Sequence, residues 1–429
     1  MPAQTASTTL ALPAGSYIYT LLPTPAGITA LSSDDSVRLF SADTLAVTHV
    51  LPNTNKSVTS LKPVSAGGEV VATAGRDGVV RCWDLREAGR TGGNDGTRGM
   101  GGMVGDGAKS GKAVLELRAE GGEAKKGFSA LAGNGEGLVA AGTENEKDGR
   151  GDEAVLVWDM RMPSQALRSY TETHSDTITE LSFHPRQSHT LLSASTDGIA
   201  SLFNTTVADE DDALLQQLPH NSAIHLAGFI APSVAYAISC DEQCSFYALS
   251  DASTSPPTQA AAAAEDEEEA LPVAALGDVR PRLGCAYVVD VLPAFQARHE
   301  GSWIAVGDTE TSRLDLIAIA DSPSWRFDTT RTLSFEGAHG DEIVRGVVRV
   351  GQTSFTCGED GHVRAWNDDT PVAEPEEMDV DVDGDGDGDD NDRDDASAKA
   401  RRHRQRSKAQ RASARKGRVD DGRGRYAPY

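Results

Sequence analysis

The stretch 173–204, THSDTITELSFHPRQSHTLLSASTDGIASLFN, contains three short apolar runs that are separated by turn residues. The first run alternates apolar and polar side chains through Ile178, Leu181 and Phe183, which predicts a strand with one buried face. A His-Pro pair ends that run, and Ser-Thr-Asp-Gly separates the second run from the third. Three short strands at a pitch of about 40 residues are typical of one blade of a β-propeller.

The same pattern recurs along the whole chain. A turn residue precedes the last strand of each unit at positions 35, 77, 152, 197, 241, 308 and 360, and most intervals are in the forties or low fifties. Seven units predict an all-β, seven-bladed propeller, although one miscounted unit would leave six or eight blades. The predicted units are 17–40, 57–84, 113–159, 173–204, 223–249, 285–319 and 335–366.

Composition indicates that part of the chain lies outside any packed core, because only 38% of the residues are hydrophobic and 5% are aromatic. The chain has no run of eighteen apolar residues, and its first thirty residues lack a basic start followed by an apolar block. We therefore predict neither a membrane span nor a signal peptide, and an intracellular location. Five dispersed cysteines in such a chain predict free thiols rather than disulfides or a zinc site.

The propeller is predicted over residues 17–370, preceded by a flexible segment at 1–16 that is small and contains prolines. Two insertions interrupt it, one rich in glycine near 89–112 and one with five alanines and an acidic run near 250–270. Neither insertion has the side chains to offset its conformational entropy, so both are predicted to be disordered. The charged tail at 371–429 is predicted to be disordered for the same reason.

The tail has an acidic half and a basic half. Residues 374–395 contain thirteen acidic residues and one basic residue, and residues 399–425 contain twelve basic and two acidic residues. The tail thus carries only about two of the 25 net negative charges, so the propeller with its insertions is strongly acidic. Repulsion from phosphates makes nucleic-acid binding by the ring an unfavourable hypothesis.

The basic half of the tail has three interpretations: a nuclear or nucleolar import signal, a weak nonspecific RNA contact, or a counter-charge that solubilises the acidic half. The import signal is the preferred interpretation. It predicts a nuclear protein, for which a nucleolar location and a cytoplasmic fraction stay open. Its candidate residues are Arg401, Arg402, Arg404, Arg406 and Lys408.

One acidic stretch has the spacing of a calcium-binding loop. In DVDVDGDGDGDD at 379–390, Asp379, Asp381, Asp383 and Gly384 match the start of an EF-hand loop, in which alternate oxygen atoms bind the cation. Asp390, however, stands where the bidentate Glu is needed, and no amphipathic helix flanks the stretch. A solvated acidic tract is therefore preferred, and neither a metal nor a cofactor is predicted.

The segment ATAGRDGVVRCWD at 72–84 resembles the second half of a WD40 repeat. In that family a His, a Ser or Thr, the turn Asp and a Trp form a buried hydrogen-bond network within a blade. The resemblance implies this structural role for two sets of residues that otherwise look like hydrolytic triads. In the first set Phe203 replaces the Trp, and in the second Trp366 supplies it. The two sets are His174, Ser193 and Asp197, and His339, Thr356 and Asp360.

Both intact Trp-Asp pairs of the chain are followed by an Arg at the same offset. This pattern resembles the WDxR box of substrate receptors that dock onto the damaged-DNA-binding adaptor of cullin-4 ubiquitin ligases. The resemblance implies that each Arg reaches the adaptor; the alternative is an ordinary surface salt bridge. The two candidate boxes are Trp83, Asp84 and Arg86, and Trp158, Asp159 and Arg161.

The block AVLVWDMR and the repeat that follows it are similar to the WD repeat-containing protein 89 family over residues 154–217, and again over 335–366. That resemblance implies a propeller scaffold without catalysis and with a basic carboxyl-terminal end. Two hypotheses for function follow. One is a protein-interaction scaffold in a nuclear or nucleolar complex, and the other is a substrate receptor of a cullin-4 ligase.

Overall fold

The computed structural model describes residues 2–86, 112–145, 151–250, 272–297, 301–321 and 324–367. Within these ranges 28 strands form seven four-stranded antiparallel sheets. First strands of neighbouring sheets contact each other at six of the seven junctions, including that of the first sheet with the last, and the fifth and sixth sheets share an apolar cluster, so the sheets form a closed ring. The prediction of an all-β, seven-bladed propeller is confirmed.

The blades are numbered in chain order, and each begins with its innermost strand. Blades 1 to 4 consist of β2 (Ile18–Thr24), β3 (Gly27–Ser32), β4 (Ser36–Phe40) and β5 (Val47–Leu51); β6 (Val58–Pro63), β7 (Val70–Gly75), β8 (Val79–Asp84) and β9 (Leu115–Arg118); β10 (Phe128–Gly133), β11 (Leu138–Thr143), β12 (Glu153–Asp159) and β13 (Arg168–His174); and β14 (Ile178–Phe183), β15 (Thr190–Ser195), β16 (Ile199–Asn204) and β17 (Leu214–Pro219).

Blades 5 to 7 follow the same order, except that the outermost strand of blade 7 comes from the start of the chain. They consist of β18 (Ile224–Ala231), β19 (Val234–Ser239), β20 (Gln243–Ala248) and β21 (Ala274–Asp278); β22 (Tyr287–Leu292), β23 (Ser302–Asp308), β24 (Arg313–Ala320) and β25 (Arg326–Glu336); and β26 (Val344–Val350), β27 (Thr353–Gly358), β28 (Val363–Asn367) and β1 (Ala3–Thr8). The described helices are short: α1 (Glu210–Ala213), α2 (Arg280–Leu283), α3 (Ala294–Ala297) and a 3-10 turn at Gly121–Lys125.

The antiparallel strand order gives the ring two different faces. The first and third strands of every blade end on one face, which we call the lower face. The second and fourth strands end on the other, which we call the upper face. The tight turns that contain Asp77, Asp197 and Asp360 join second to third strands and therefore lie on the upper face.

The ring is closed by β1, which pairs antiparallel with β28 from Ala3 opposite Asn367 to Thr8 opposite Val363. Leu10, just after β1, is 1% exposed and packs in the apolar cluster between blades 7 and 1. The prediction of a flexible segment at 1–16 is therefore wrong. The strand escaped prediction because it is mostly exposed on the outside of its blade and pairs through its backbone, so it has no apolar alternation.

A second correction concerns the boundary between blades 2 and 3. The sequence assigned residues 113–117 to the start of the third unit, but Leu115–Arg118 is the outermost strand of blade 2 and pairs with β8. Blade 3 begins at Phe128. The error arises because the long insertion separates β8 from its partner, and an outer strand of four residues carries almost no periodic signal.

The apolar core is divided into clusters that lie between neighbouring blades. Between blades 2 and 3, for example, Val80 and Leu117 pack with Phe128, Leu131 and Trp158. Each blade therefore depends on its neighbours for burial, as in other repeat architectures. All five cysteines are free, and three of them are buried in these clusters: Cys82, Cys244 and Cys357.

Several predictions concern residues that the structure does not describe. The insertions near 89–112 and 250–270 lie outside the described residues except at positions 112 and 250. The tail at 371–429 lies wholly outside them, and with it the acidic stretch 379–390 and the import-signal candidates Arg401 to Lys408. In the described part of the chain, no helix is long and apolar enough to cross a membrane.

Candidate protein-interaction surface

The two triad-like sets form closed networks that connect blade 3 to blade 4 and blade 6 to blade 7, because each His precedes the first strand of the blade that holds its partners. His174, the last residue of β13 in blade 3, donates through Nδ1 to Asp197 of blade 4 at 3.0 Å, and the Ser193 hydroxyl lies 2.7 Å from His174 Nε2. Both His174 and Ser193 are almost completely buried. A substrate therefore has no access to the Ser193 hydroxyl, and this arrangement cannot act as a nucleophile at a surface.

In blade 7 the network includes the Trp that blade 4 lacks. His339 Nδ1 donates to Asp360 at 2.7 Å, and His339 Nε2 lies 2.8 Å from the Thr356 hydroxyl, which also accepts from Trp366 Nε1 at 3.0 Å. Burial lowers the pKa of His339 below its ordinary value. Burial by itself would raise the pKa of Asp360, but hydrogen bonds and the charges of His339 and Arg364 lower that pKa to about 2.

A third network in blade 2 was missed because Asn55 takes the place of the His. The Thr73 hydroxyl donates to Asn55 Oδ1 at 2.6 Å, Asn55 Nδ2 donates to Asp77 at 3.0 Å, and Trp83 Nε1 donates to Thr73 at 3.0 Å. Residue spacing could have revealed this network. Asp77 follows Thr73 by four residues and Trp83 follows it by ten, which is also the spacing in blade 7.

The two candidate WDxR boxes lie at the ends of β8 and β12, which places both on the lower face of adjacent blades. Arg86 binds Asp84 through Nε at 2.9 Å and through Nη2 at 2.6 Å. Arg161 binds Asp159 in the same way, at 2.8 Å through each nitrogen. The arginines are 68% and 75% exposed as side chains, so both guanidinium groups face solvent while bound to the neighbouring Asp.

The same Asp-x-Arg geometry occurs a third time, at Asp278 and Arg280. This pair follows β21, the fourth strand of blade 5, and so lies on the upper face. A salt bridge of this kind is therefore a local turn structure and does not by itself mark a binding site. Any functional difference between the pairs must come from their surroundings.

Exposed apolar side chains distinguish the lower face from the upper face. All seven large apolar side chains that are exposed among the described residues lie at lower-face connections or strand ends. Met162, next to Arg161, is 65% exposed, and Val114, whose amide bonds to the strand carrying Trp83, is 53% exposed. The others are Leu167, Leu215, Val273, Phe295 and Val350.

An open groove of about 410 Å³ lies on the same face of blade 4. Arg186, His189, Asn204 and Leu215 contribute to its walls. Apolar side chains beside arginines and a groove are the composition expected of a protein-binding surface. Among the described residues, no three His, Cys, Asp or Glu side chains come together as metal ligands.

Comparison with known proteins agrees with this architecture. The family model described as "WD domain, G-beta repeat" (WD40) matches residues 46–84 and 165–204. Each match covers the fourth strand of one blade and the first three strands of the next. The chain therefore contains WD40 repeats, which confirms the predicted resemblance. WD40 propellers are typically non-enzymatic and generally bind proteins.

Similar proteins carry the same repeats. An uncharacterized WD repeat-containing protein of Saccharomyces cerevisiae is 34% identical over 248 residues, which are 56% of this chain and 57% of that protein. An uncharacterized WD repeat-containing protein of Schizosaccharomyces pombe is 24% identical over 70% of this chain and 83% of its own length. The WD repeat-containing protein 89 homolog of Dictyostelium discoideum is 29% identical over 70 residues, which are 16% of this chain and 20% of that protein. This chain thus aligns with less than two thirds of the budding-yeast protein.

Proposed function

We propose that this protein is a non-enzymatic scaffold in a nuclear or nucleolar complex. As a seven-bladed propeller that contains WD40 repeats, it binds partner proteins through its lower face. The observation that supports the proposal is the confinement of exposed large apolar side chains to that face. Burying such side chains favours association by about 25 cal/mol per Å² of apolar surface. The ring supplies rigidity, and the connections between strands supply recognition.

An alternative function rests on the two boxes. Arg86 and Arg161 present exposed guanidinium groups at equivalent positions of adjacent blades, which supports docking of the damaged-DNA-binding adaptor of a cullin-4 ligase. Each guanidinium is held in a fixed orientation by its Asp, and a pre-oriented donor loses little side-chain entropy on binding. In this alternative the protein is a substrate receptor.

Affinity purification of variant proteins tests the scaffold function first. We expect Val114→Glu with Met162→Glu to reduce recovery of the main partner proteins at least tenfold, because the new carboxylates would be buried at the interface. Both positions are more than half exposed, so the melting temperature should stay within about 2 °C of the wild type. Affinity purification with mass spectrometry measures recovery, and unchanged recovery of every partner contradicts binding through the lower face.

For the ligase alternative, Arg86→Ala with Arg161→Ala should remove the adaptor from the purified material. Arg280→Ala is the matched control, since it breaks the same kind of salt bridge on the upper face. Wild-type protein that never recovers the adaptor excludes the alternative. Loss of the adaptor in the Arg280→Ala control as well would show that the two boxes are not the docking site.

The proposal of a nuclear location is supported by the twelve basic residues in 399–425. We expect a fluorescent fusion that lacks residues 397–429 to lose nuclear enrichment, because import receptors bind exposed clusters of Lys and Arg. Replacing Arg401, Arg402 and Arg404 by Gln should give the same result without shortening the chain. Nuclear enrichment that survives both changes contradicts the import signal and leaves the lower-face proposal to be judged by its own experiment.

A further inference from the structure

The seven first strands line the central channel in a common register. Each has a β-bulge after one buried apolar residue, and counting from that residue aligns all seven strands. The residue two positions further forms one layer of the channel wall. From blade 1 to blade 7 this layer contains Thr20, Ser60, Ala130, Glu180, Leu226, Asp290 and Gly346. Two of its seven members are carboxylic acids, in blades 4 and 6.

The wall beside Glu180 is held rigidly. Hydroxyl groups one residue above the layer donate to backbone carbonyls of the next blade: Thr59 to Phe128 at 2.7 Å, Ser129 to Ile178 at 2.6 Å, and Thr179 to Ile224 at 2.8 Å. These bonds connect blades 2 to 5 in sequence. The other four blades have no small hydroxyl residue at this position, one residue before the layer. Blades 5, 6, 7 and 1 carry His225, Val289, Arg345 and Tyr19 there. The carboxylate of Glu180 therefore projects from a fixed backbone.

The two carboxylates have few partners. Glu180 lies 3.7 Å from Lys62 Nζ, a distance too long for a strong hydrogen bond, and the Lys62 side chain is 40% exposed. Asp290 accepts a hydrogen bond from the backbone of Val291 at 2.7 Å and has no ion pair within the described residues. Burial raises the pKa of Glu180, and it raises the pKa of Asp290 to about 6. The charges of Lys62 and His225 oppose this effect at both carboxylates.

A buried tyrosine, Tyr236, packs against the first strand of blade 5, which lies between the blades that carry the two acids. Tyr236 of β19 is 7% exposed, and the structure shows no hydrogen bond from its hydroxyl to another described residue. Its ring occupies the space beside Gly228 on the first strand of blade 5, where a Cβ would lie 3.1 Å from the hydroxyl oxygen. Burial raises the pKa of Tyr236, and the charges of Asp290 and Glu180 raise it further.

We propose that this layer of the channel binds a guanidinium group from an arginine side chain of a partner protein. Glu180 and Asp290 would accept its N–H groups from opposite sides, and the Tyr236 hydroxyl would supply a further acceptor. A guanidinium has five donors in a planar fork, so it can bind two carboxylates on different blades, whereas an ammonium is a compact point charge. On binding it displaces Lys62 from Glu180. This site is separate from the lower face.

The probe is a short peptide, acetyl-Gly-Arg-Gly-amide, compared with the peptide in which citrulline replaces arginine and with free arginine. Citrulline has nearly the same shape but no charge. Binding is measured by calorimetry and by NMR line broadening of the peptide at low salt. We expect the arginine peptide to bind at least tenfold more tightly than the citrulline peptide. Tighter binding of free arginine than of the peptide would contradict a protein side chain as the ligand.

Variants then locate the site. Glu180→Gln and Asp290→Asn should each weaken binding of the arginine peptide at least tenfold, while Lys62→Ala should strengthen it because the internal competitor is gone. Glu172→Gln, at an exposed position on an outer strand, should leave binding unchanged. The double variant with Arg86→Ala and Arg161→Ala should bind the arginine peptide as the wild type does. Peptide binding in the channel is therefore independent of the lower-face experiment.

The melting temperature distinguishes a loss of peptide binding from a loss of folding. Glu180→Gln and Asp290→Asn remove charges that are half-buried and whose pKa values are raised, so both variants should melt at or above the wild-type temperature. The proposal is overturned if the wild type binds no arginine peptide at millimolar concentration, if the citrulline peptide binds equally, or if Lys62→Ala weakens binding.

Discussion

Deletion of residues 2–10 should lower the melting temperature by at least about 10 °C, the largest effect that we expect from any local change. The deletion removes β1 and Leu10, so β28 becomes an unpaired edge and blade 7 keeps three strands. Leu10 alone should contribute about 2–5 kcal/mol, because its side chain is buried between the last blade and the first. Differential scanning calorimetry or circular dichroism measures the effect.

Graded variants separate the two contributions. Leu10→Ala should produce part of the loss, and Ser7→Ala, at an exposed position on β1, should produce none. A synthetic peptide of residues 2–12, added in excess to the deleted protein, should restore most of the melting temperature, because an exposed strand edge accepts a matching strand. A deleted protein that melts like the wild type would mean that β1 does not close the ring.

Asp360→Ala should destabilise the protein by about 3 kcal/mol, which corresponds to roughly 6–12 °C in melting temperature. Asp360 accepts from His339 and from the backbone of His362, and it pairs with Arg364. Without the carboxylate, the buried His339 loses its acceptor and the Thr356 and Trp366 groups lose their orientation. The disturbed blade is also the one that β1 closes, so the two large effects act on the same part of the ring.

The matched control is Asp308→Ala in blade 6. Asp308 occupies the equivalent turn, and among the described residues it accepts only from the backbone amides of Glu310 and Thr311, at 2.8 and 3.2 Å. Its removal should cost about 1 kcal/mol, as for other capping carboxylates. Equal losses from the two variants would show that the turn, rather than the network through His339, provides the stability.

The pH dependence of the Asp360 effect has a definite sign. The folded pKa of Asp360 is about 2 and its ordinary value is 3.8, so its stabilisation is complete above about pH 4 and is lost as the pH falls towards 2. The lowered pKa of His339 adds a second loss of stability, which begins as the pH falls below its ordinary value of 6.5. The difference between the wild type and Asp360→Ala should therefore shrink between pH 4 and pH 2.

The half-buried acids of the channel, Glu180 and Asp290, change stability in the opposite direction with pH. A carboxyl group whose folded pKa is raised stabilises the folded protein at low pH, and this contribution is lost as the pH rises through the folded value, about 6 for Asp290. Near neutral pH the ionised group is therefore a cost to stability. Perturbed carboxyl groups are enriched at functional sites, which agrees with the ligand that we propose from the common register of this layer.

Spacing within a repeat was informative wherever the same hydrogen bonds recur. The step of four residues from hydroxyl to Asp, with a Trp six residues later, follows from a hairpin whose two strands pair in a constant register, and blades 2 and 7 share it. Searching for the His was less reliable, because the amide of Asn55 can donate to Asp77 and accept from Thr73 just as an imidazole does. Outer strands were the weakest prediction, since their exposed side chains carry no pattern.

The amino-acid sequence by itself determined the seven blades, the upper-face turns and the two networks that contain a His, because all of these depend on contacts between residues within about forty positions of each other. Only the tertiary structure decided what the faces and the channel contain. Closure through β1 joins the two ends of the propeller, and the common bulge register places Glu180 and Asp290, 110 residues apart, in one layer. No local pattern encodes that proximity, since it depends on the number of blades between the two strands and on the ring being closed.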